Sequence, residues 1–268
     1  MRRDIITLVK KDWREFKGNK QIWIPVILLP LLVSIGLPLT VAFIPSALNV
    51  SGVIPELPAG LLRTLPEEMR LSLSSLPKKE QLAFLFIAYY FAPTFLVIPL
   101  AIPAVLCADS FAGEKERKTI EAILATPIRD SELLIGKTIL PMAASLSSSY
   151  LAFLIYSYLT NALIFHSFVF PTSSWILIMG FLVPALTFFS VGMMIIVSAR
   201  SKGFREAQQI GGMIVLPVFV LLITQLLGVM SMTNQSLLGT SLVLLLLDVL
   251  LLKFGSRTYN RDHLMSNT

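Results

Sequence analysis

The residue types that catalysis or metal binding requires are scarce in this chain. Its one cysteine, Cys107, has no second cysteine for an internal disulfide, and its two histidines, His166 and His263, stand 97 positions apart, outside any recognisable metal motif. No serine stands in a nucleophile-elbow pattern. The sequence therefore predicts no catalytic centre and no metal site, and an enzyme remains only as an alternative class.

One short motif is typical of phosphate binding, but it is incomplete. The step Gly136-Lys137-Thr138 matches the end of a P-loop, which also needs a preceding strand and a glycine five positions before its second glycine. Ser131 stands at that position instead. We therefore expect this chain to bind neither a nucleotide nor any other cofactor.

Residues 109–137 form a segment of mixed charge. Its pattern predicts a charged helix from Gly113 to Ala125, ended by Pro127, because proline disfavours helical geometry in the residue before it. A second short helical run, from Ser131 to Gly136, follows. Charge runs are usually solvated, so on the pattern alone a solvated loop is the alternative to a functional helix.

The elements that must hold these residues follow from an apolar composition. Of 268 residues, 55% are hydrophobic and 14% are charged, and the mean hydropathy is +0.77. These values are typical of a membrane protein. Four stretches of 35, 28, 62 and 41 residues contain no charged side chain. A helix needs about 20 apolar residues to cross ~30 Å of hydrocarbon, so these stretches have room for several spans.

We predict an all-α integral membrane protein with six transmembrane helices in one domain, residues 1–268. The two shorter uncharged stretches supply one span each, and polar interruptions at His166–Ser174 and Ser231–Gln235 divide each longer stretch into two. A membrane β-barrel needs alternating polarity, which these runs lack. The predicted spans are residues 22–44, 84–108, 138–165, 175–199, 210–230 and 236–252.

The distribution of basic residues predicts the orientation of the spans. Of the 22 lysines and arginines, 18 fall in alternate connections on one side of the six spans. By the positive-inside rule, we expect both termini and residues 109–137 to be cytoplasmic and residues 45–83 to form an outer loop. The cell membrane is the expected location of the protein. The net charge of +6 thus serves topology and implies no nucleic-acid partner. A cleaved signal peptide is the alternative for the first span, although the apolar run is longer than usual.

The segment from Asp4 to Lys17 has the periodicity of an amphipathic helix. We expect this helix to lie flat on the inner leaflet, with its cations at anionic lipid headgroups. It is either a simple basic anchor or a connecting helix that transmits motion to the first span. The residues that share its apolar arc are Ile5, Ile6, Val9, Trp13 and Phe16, and Lys17 is among the cations beside them.

The cytoplasmic segment resembles the corresponding loop of type-2 ABC transporter permeases, and the six-span layout is similar to that family over the whole chain. One departure is Lys118, where the family often has glycine. The residues that carry the resemblance are Glu114, Glu116, Thr119, Glu121, Leu124, Thr126, Pro127, Glu132, Leu133, Gly136 and Lys137.

The resemblance implies a role and partners for these residues. In that family the loop contains a coupling helix that seats in a groove of a separate ATPase subunit, and the N-terminal amphipathic helix, with Trp13, Phe16 and Lys17, is similar to the connecting helix. ATP and magnesium would then bind the partner ATPase and not this chain. The resemblance further implies a dimer, with a second copy or a paralogue, and export as the direction of transport.

Polar residues within the spans indicate the alternatives to an ATP-driven permease. Asp248 is the only acidic residue deep inside a predicted span, which makes it a functional candidate. Because Lys253 is five residues away, we expect the carboxylate to reach this neighbour or the interface and to serve a structural role. Proton coupling in a gradient-driven transporter is the alternative. Asn161 and Gln225 are expected to hydrogen-bond between helices.

The outer loop contains an amphipathic stretch, Leu57 to Leu76, that suits a helix on the outer surface. A gate or lid and simple interfacial packing explain this stretch equally well.

Overall fold

The computed structural model of the chain describes residues 2–47, 65–119, 128–227 and 233–258. All regular secondary structure in these ranges is helical, and six helices are long and apolar enough to cross a membrane. The predictions of an all-α fold and of six spans are therefore confirmed. The spans, numbered first to sixth, are Ile22–Phe43, Ala92–Glu116, Ser131–Phe165, Ser173–Arg200, Phe204–Leu226 and Asn234–Lys253.

Most spans combine several helical segments. The α-helical segments before and within the first two spans are Arg2–Gly18, Lys20–Leu31, Leu37–Ala47, Glu67–Ser74, Lys78–Leu85, Ala92–Phe95, Val97–Cys107 and Glu114–Glu116. Those of the later spans are Asp130–Thr160, Ser173–Leu177, Val183–Arg200, Phe204–Met213, Leu216–Leu226 and Asn234–Thr258. Short π-helical segments, which shift the hydrogen-bond register by one residue, lie at Leu32–Gly36, Phe86–Tyr90, Ala108–Gly113, Asn161–Phe165 and Ile178–Leu182.

The second span extends further along the chain than predicted. Its helix continues past residue 108, through Ala108–Gly113, and ends at Glu116. The prediction ended this span at the first charged residue, Asp109. That rule fails here because Glu114, although fully buried, is paired with lysines from other helices, and paired charges can be buried at much lower cost than isolated ones.

The second span lies in the centre of the bundle and is the most buried of the six. The N-terminal helix, Arg2–Gly18, lies against the end of the bundle that contains Glu114 and Gly136, and we call this the proximal end. At the opposite, distal end, the Ser174 hydroxyl donates a hydrogen bond to Asn234 Oδ1 at 2.8 Å. The fourth and sixth spans therefore begin side by side.

The helix that leads into the second span is interrupted near its distal end. Pro93 has no N–H to donate to the Tyr89 carbonyl four residues earlier, and the preceding π-helical segment shifts the other hydrogen bonds. Side chains of the third, fourth and fifth spans donate hydrogen bonds to three successive carbonyls at 2.9 to 3.0 Å: Tyr156 to Ile87, Trp175 to Ala88 and Gln225 to Tyr89. These contacts fix the interrupted segment against the third, fourth and fifth spans.

The two neutral polar residues thus behave differently. Gln225 hydrogen-bonds between helices as predicted, to the Tyr89 carbonyl. Asn161 instead bonds the connection that follows its own span: its side-chain amide donates to the Phe170 carbonyl at 2.6 Å and accepts from the Phe170 N–H at 3.0 Å.

Candidate functional site: the charged joint at the proximal end

The N-terminal helix packs on the bundle through a stripe that only partly overlaps the apolar arc expected to face the headgroups. Leu8, Asp12 and Phe16, spaced four residues apart, are buried, whereas Ile6 and Trp13 from the predicted arc are exposed. Sequence periodicity groups apolar residues but does not show which of them meet protein. The helix therefore packs on the spans along the Leu8–Phe16 stripe and leaves Ile6 and Trp13 on its open side.

The three residues predicted for a connecting helix lie together at its end. The Trp13 and Phe16 rings stack at a centroid distance of 5.9 Å, and the Lys17 ammonium lies 5.0 Å from the Trp13 ring centroid. Trp23 of the first span contacts both rings, with centroids 4.7 Å from Phe16 and 6.3 Å from Trp13. Aromatic packing therefore joins the N-terminal helix to the first span.

Gly136 allows the N-terminal helix to approach the third span closely. A Cβ atom at this position would lie 3.0 Å from Leu8 Cδ1 and 3.2 Å from Leu8 Cβ. Any larger residue would push the two helices apart. The glycine of the Gly136-Lys137 step thus has a packing role, which is distinct from phosphate binding.

Glu114 is the centre of a buried cluster of charges. Its side chain is 0% exposed; one carboxylate oxygen accepts a hydrogen bond from Lys11 of the N-terminal helix at 2.5 Å, and the other from Lys137 of the third span. Lys137 is also fully buried and donates to the Ser110 carbonyl at 2.6 Å. Three separate elements therefore meet at one carboxylate, and we call this cluster the charged joint.

Asp12 extends the charged joint toward the second span. Its Oδ2 accepts a hydrogen bond from the Ser110 hydroxyl at 3.1 Å. Burial raises the pKa of the Asp12 carboxyl; the Lys137 charge opposes this rise and the Glu114 charge adds to it. Burial by itself lowers the pKa of Lys11, but hydrogen bonds and charges of Glu114 and Glu15 outweigh it and raise that pKa above its ordinary value.

Three carboxylates of this region approach one another as a metal site would require. Asp12, Glu15 and Glu114 place oxygens within 4.8 Å of one another. The Lys11 ammonium lies between them, 3.0 Å from Glu15 Oε1 and 3.8 Å from Asp12 Oδ1. Since lysines already neutralise the carboxylates, this donor set suits ion pairing better than a divalent cation.

Two further motif residues terminate or begin helices. Glu116 accepts a hydrogen bond from the Phe204 N–H at 2.8 Å, so it supplies an acceptor at the N-terminus of the fifth span. Glu132 accepts one from the Arg129 N–H at 3.4 Å, at the start of the third span. The segment around Glu116 is therefore bound to the fifth span as well as to the elements of the charged joint.

The predicted helix from Gly113 to Ala125 is wrong in its continuity. Helical structure is interrupted at Arg117 and Lys118, and Lys118 has a left-handed backbone conformation with a φ of 56°. The Thr119 hydroxyl then donates to the Glu114 carbonyl at 3.3 Å. The remaining motif residues, Glu121, Leu124, Thr126 and Pro127, lie outside the described residues.

The left-handed Lys118 explains why glycine suits this position and gives a prediction. Lys118→Gly is expected to raise the free energy of unfolding by about 1 kcal/mol, because glycine adopts positive φ without steric cost. The readout is the thermal unfolding of the detergent-purified protein. Lys115→Gly is the control, since this residue is in right-handed helix and the change should instead destabilise by about 1 kcal/mol. Equal effects of both changes would contradict the prediction.

The expected environment of Asp248 is not found. The side chain is 4% exposed, and no donor among the described residues hydrogen-bonds to either carboxylate oxygen, so the contact with Lys253, one of the two expected positions, is not formed. Asp248 belongs to the buried stripe of the sixth span, together with Leu237 and Ser241. Because this stripe faces the fourth span, the carboxylate packs against that span.

Asp248→Asn is expected to preserve at least part of transport. The purified variant should unfold at no lower temperature than the original chain, because the substitution removes no hydrogen bond to any described residue. Thermal unfolding and the transport rate in reconstituted vesicles are the measurements. Asp109→Asn, which weakens a 3.0 Å contact with Arg117, serves as the control for loss of a paired carboxylate. Complete loss of transport by an intact Asp248→Asn complex would favour a gradient-driven transporter.

The sequence did not single out Lys11, Asp12 or Ser110, yet all three belong to the charged joint. Lys11 was one of several cations on the polar side of an amphipathic helix, and Asp12 and Ser110 carried no motif. The arrangement of the charged joint can hold helices together and pass a displacement from one helix to another. Neither role requires a nucleophile or a bound nucleotide.

Comparison with known proteins gives the family. The model of the ABC-2 family transporter proteins matches residues 6–258, and the chain belongs to this family. No curated protein and no solved structure gives a significant match. With six apolar helices, the chain is a multi-pass membrane protein and the membrane subunit of an ABC transporter.

Proposed function

We propose that this subunit forms half of a dimeric export path in the cell membrane and is coupled to a separate ATPase subunit. The other half is a second copy of this chain or a paralogue. ATP and Mg²⁺ bind the ATPase, and this chain supplies the path and the mechanical coupling. The family supports a transporter subunit, and the basic residues, 18 of 22 on the side of the charged joint, support a cytoplasmic location for both termini.

The charged joint is the observation that carries the coupling proposal. Glu114 lies in the last turn of the second span and is bound to the N-terminal helix through Lys11 and to the third span through Lys137. Two residues later, Glu116 is bound to the fifth span at Phe204. A force applied to the segment that follows Thr119 therefore reaches four elements through short polar contacts, of which the Glu114–Lys137 contact is fully buried.

In the proposed cycle, closure of two ATPase subunits pushes on the segment around residues 114–127. The displacement passes through the charged joint and tilts the second span together with the N-terminal helix. The second span lies in the centre of the bundle, and the helix that leads into its distal end is held by Tyr156, Trp175 and Gln225. Its tilt would thus switch the path between inward and outward access.

Purification of the native complex tests this proposal. The membrane subunit should copurify with a polypeptide that contains a P-loop, and the ATPase activity of the complex should respond to its cargo in a substrate screen. A membrane subunit that purifies without any ATPase, yet transports when reconstituted with an ion gradient alone, would contradict the proposal.

The orientation is tested by cysteine labelling. In a background lacking Cys107, Ser75→Cys should react with an impermeant thiol reagent on intact cells, and Ser131→Cys should react only after permeabilisation. Both serines are exposed, so accessibility within the protein does not separate them. Labelling of Ser131→Cys from outside would place the charged joint on the wrong side for an ATPase.

A further inference from the structure

A cavity of about 240 Å³ lies between the second, fourth, fifth and sixth spans. Its walls are apolar apart from hydroxyl groups at one end. The residues on which the argument depends are Leu186, Val218, Leu221, Ser236, Thr240 and Leu244.

The cavity arises because the fifth and sixth spans pack on different neighbours. Gln225 ties the fifth span to the second at the Tyr89 carbonyl. The sixth span packs on the fourth at Gly192. A Cβ atom at this position would lie only 3.1 Å from Leu251 Cβ, so the glycine allows the two helices to approach closely. The fifth and sixth spans are thereby held apart, and the cavity occupies the gap between them.

A hydrocarbon chain is a more favourable occupant of this cavity than water, and a filled cavity is more favourable than an empty one. A water molecule needs two to four polar partners, which an aliphatic lining does not supply. An empty cavity is unfavourable because the atoms that line it lose dispersion contacts. The cavity is lined by helices that cross the membrane, so the acyl chains of lipids are the apolar molecules that surround it.

The lining also matches the polarity and length of one leaflet. Ser236 and Thr240 lie near the distal start of the sixth span, and Leu244 lies eight residues along the helix from Ser236. That distance is about 12 Å, which is less than half of the ~30 Å hydrocarbon thickness. The polar end is thus nearer the headgroups and the apolar end nearer the bilayer centre.

We propose that this cavity binds one acyl chain of a membrane phospholipid from the leaflet at the distal end. The chain fills the gap between the fifth and sixth spans and stabilises their separation. This site is independent of the ATPase, and the proposed function enters only in naming that leaflet the outer one.

Photo-crosslinking tests the proposal. The protein is reconstituted in vesicles of phosphatidylethanolamine and phosphatidylglycerol that contain a trace of phospholipid with a diazirine near the end of one acyl chain. After irradiation, mass spectrometry locates the adducts. Adducts on Val218, Leu221 and Leu186 should exceed those on Leu242, which is 61% exposed on the outside of the sixth span, by at least five-fold.

Matched substitutions separate the cavity from the lipid-facing surface. Leu244→Trp places an indole ring in the cavity and should lower the adducts on Val218 at least five-fold. Leu242→Trp, two residues away on the exposed face, should not lower them. If Leu244→Trp does not fold, Leu221→Trp with the control Val220→Trp provides the same comparison from the fifth span.

Two results would overturn the proposal. Adducts spread evenly over the exposed faces and unaffected by cavity filling would show that no chain is held there. A disulfide between copies that links Val218→Cys to Thr240→Cys would show that a second copy of the chain covers the cavity instead. Selective adducts that disappear in the filled variant support the acyl-chain site.

Discussion

Glu114→Gln is expected to destabilise the proximal end of the bundle by about 3 to 5 kcal/mol and to abolish most transport. Lys137 is fully buried beside this carboxylate, and Lys11 is bound to it from the N-terminal helix. Removing one member of a buried ion pair leaves an uncompensated charge, which accounts for the size of the effect. Thermal unfolding of the purified subunit and proteolysis of the N-terminal helix are the measurements.

The control for this change is Glu67→Gln, at an exposed position of the helix Glu67–Ser74, which should alter the free energy of unfolding by no more than about 0.5 kcal/mol. A second variant, Glu114→Gln with Lys137→Met, should recover part of the loss, because the unpaired cation is removed as well. Equal unfolding of Glu114→Gln and Glu67→Gln would show that the charged joint does not hold the helices together.

Glu121→Lys is expected to lower recovery of the complex with the ATPase ten-fold or more. Glu121 lies outside the described residues, two positions after Thr119. If the segment seats on the partner, reversal of an interfacial charge typically costs ~2 to 5 kcal/mol. The readouts are the amount of ATPase that copurifies and the transport rate. Glu67→Lys, in the connection expected to lie outside, is the matched control.

The two glutamates should fail in different ways, which makes their comparison informative. Glu114→Gln should lower the stability of the isolated subunit, whereas Glu121→Lys should leave that stability unchanged and weaken only assembly. If Glu121→Lys binds the ATPase as well as Glu67→Lys does, the contact at Glu121 is wrong. If deletion of the whole segment is equally harmless, coupling through this loop is wrong as well.

The membrane fold could be predicted because its cause is local. An uncharged stretch of sufficient length forms a spanning helix whatever its neighbours are, since hydrocarbon leaves backbone groups no other partners. The polar interruptions His166–Ser174 and Ser231–Gln235 are the basis for dividing the two long stretches. In the described residues, spans end at Phe165 and Leu226 and the next ones begin at Ser173 and Asn234.

The charged joint could be predicted only in part because its contacts are not local. Glu114 meets Lys11 across 103 residues and Lys137 across 23. Helical periodicity does not reveal such pairs, and it also concealed the left-handed turn at Lys118. The family pattern singled out Glu114 and Lys137 without showing that they bind each other. For the same reason, the depth of Asp248 could be predicted from the sequence, but the side of the sixth span on which it packs could not.

The distance in sequence between the partners of the N-terminal helix has a consequence for biosynthesis. Leu8 packs on Gly136, and Lys11 pairs with Glu114, so the N-terminal helix has no binding site until more than a hundred further residues have been synthesised. At about 5 to 20 residues per second, this wait lasts roughly 6 to 25 s. During that time, we expect the Trp13 and Phe16 side chains to lie in the headgroup region of the membrane. A nascent chain stalled before Lys137 should therefore expose its N-terminal helix to protease, and one stalled well beyond it should not.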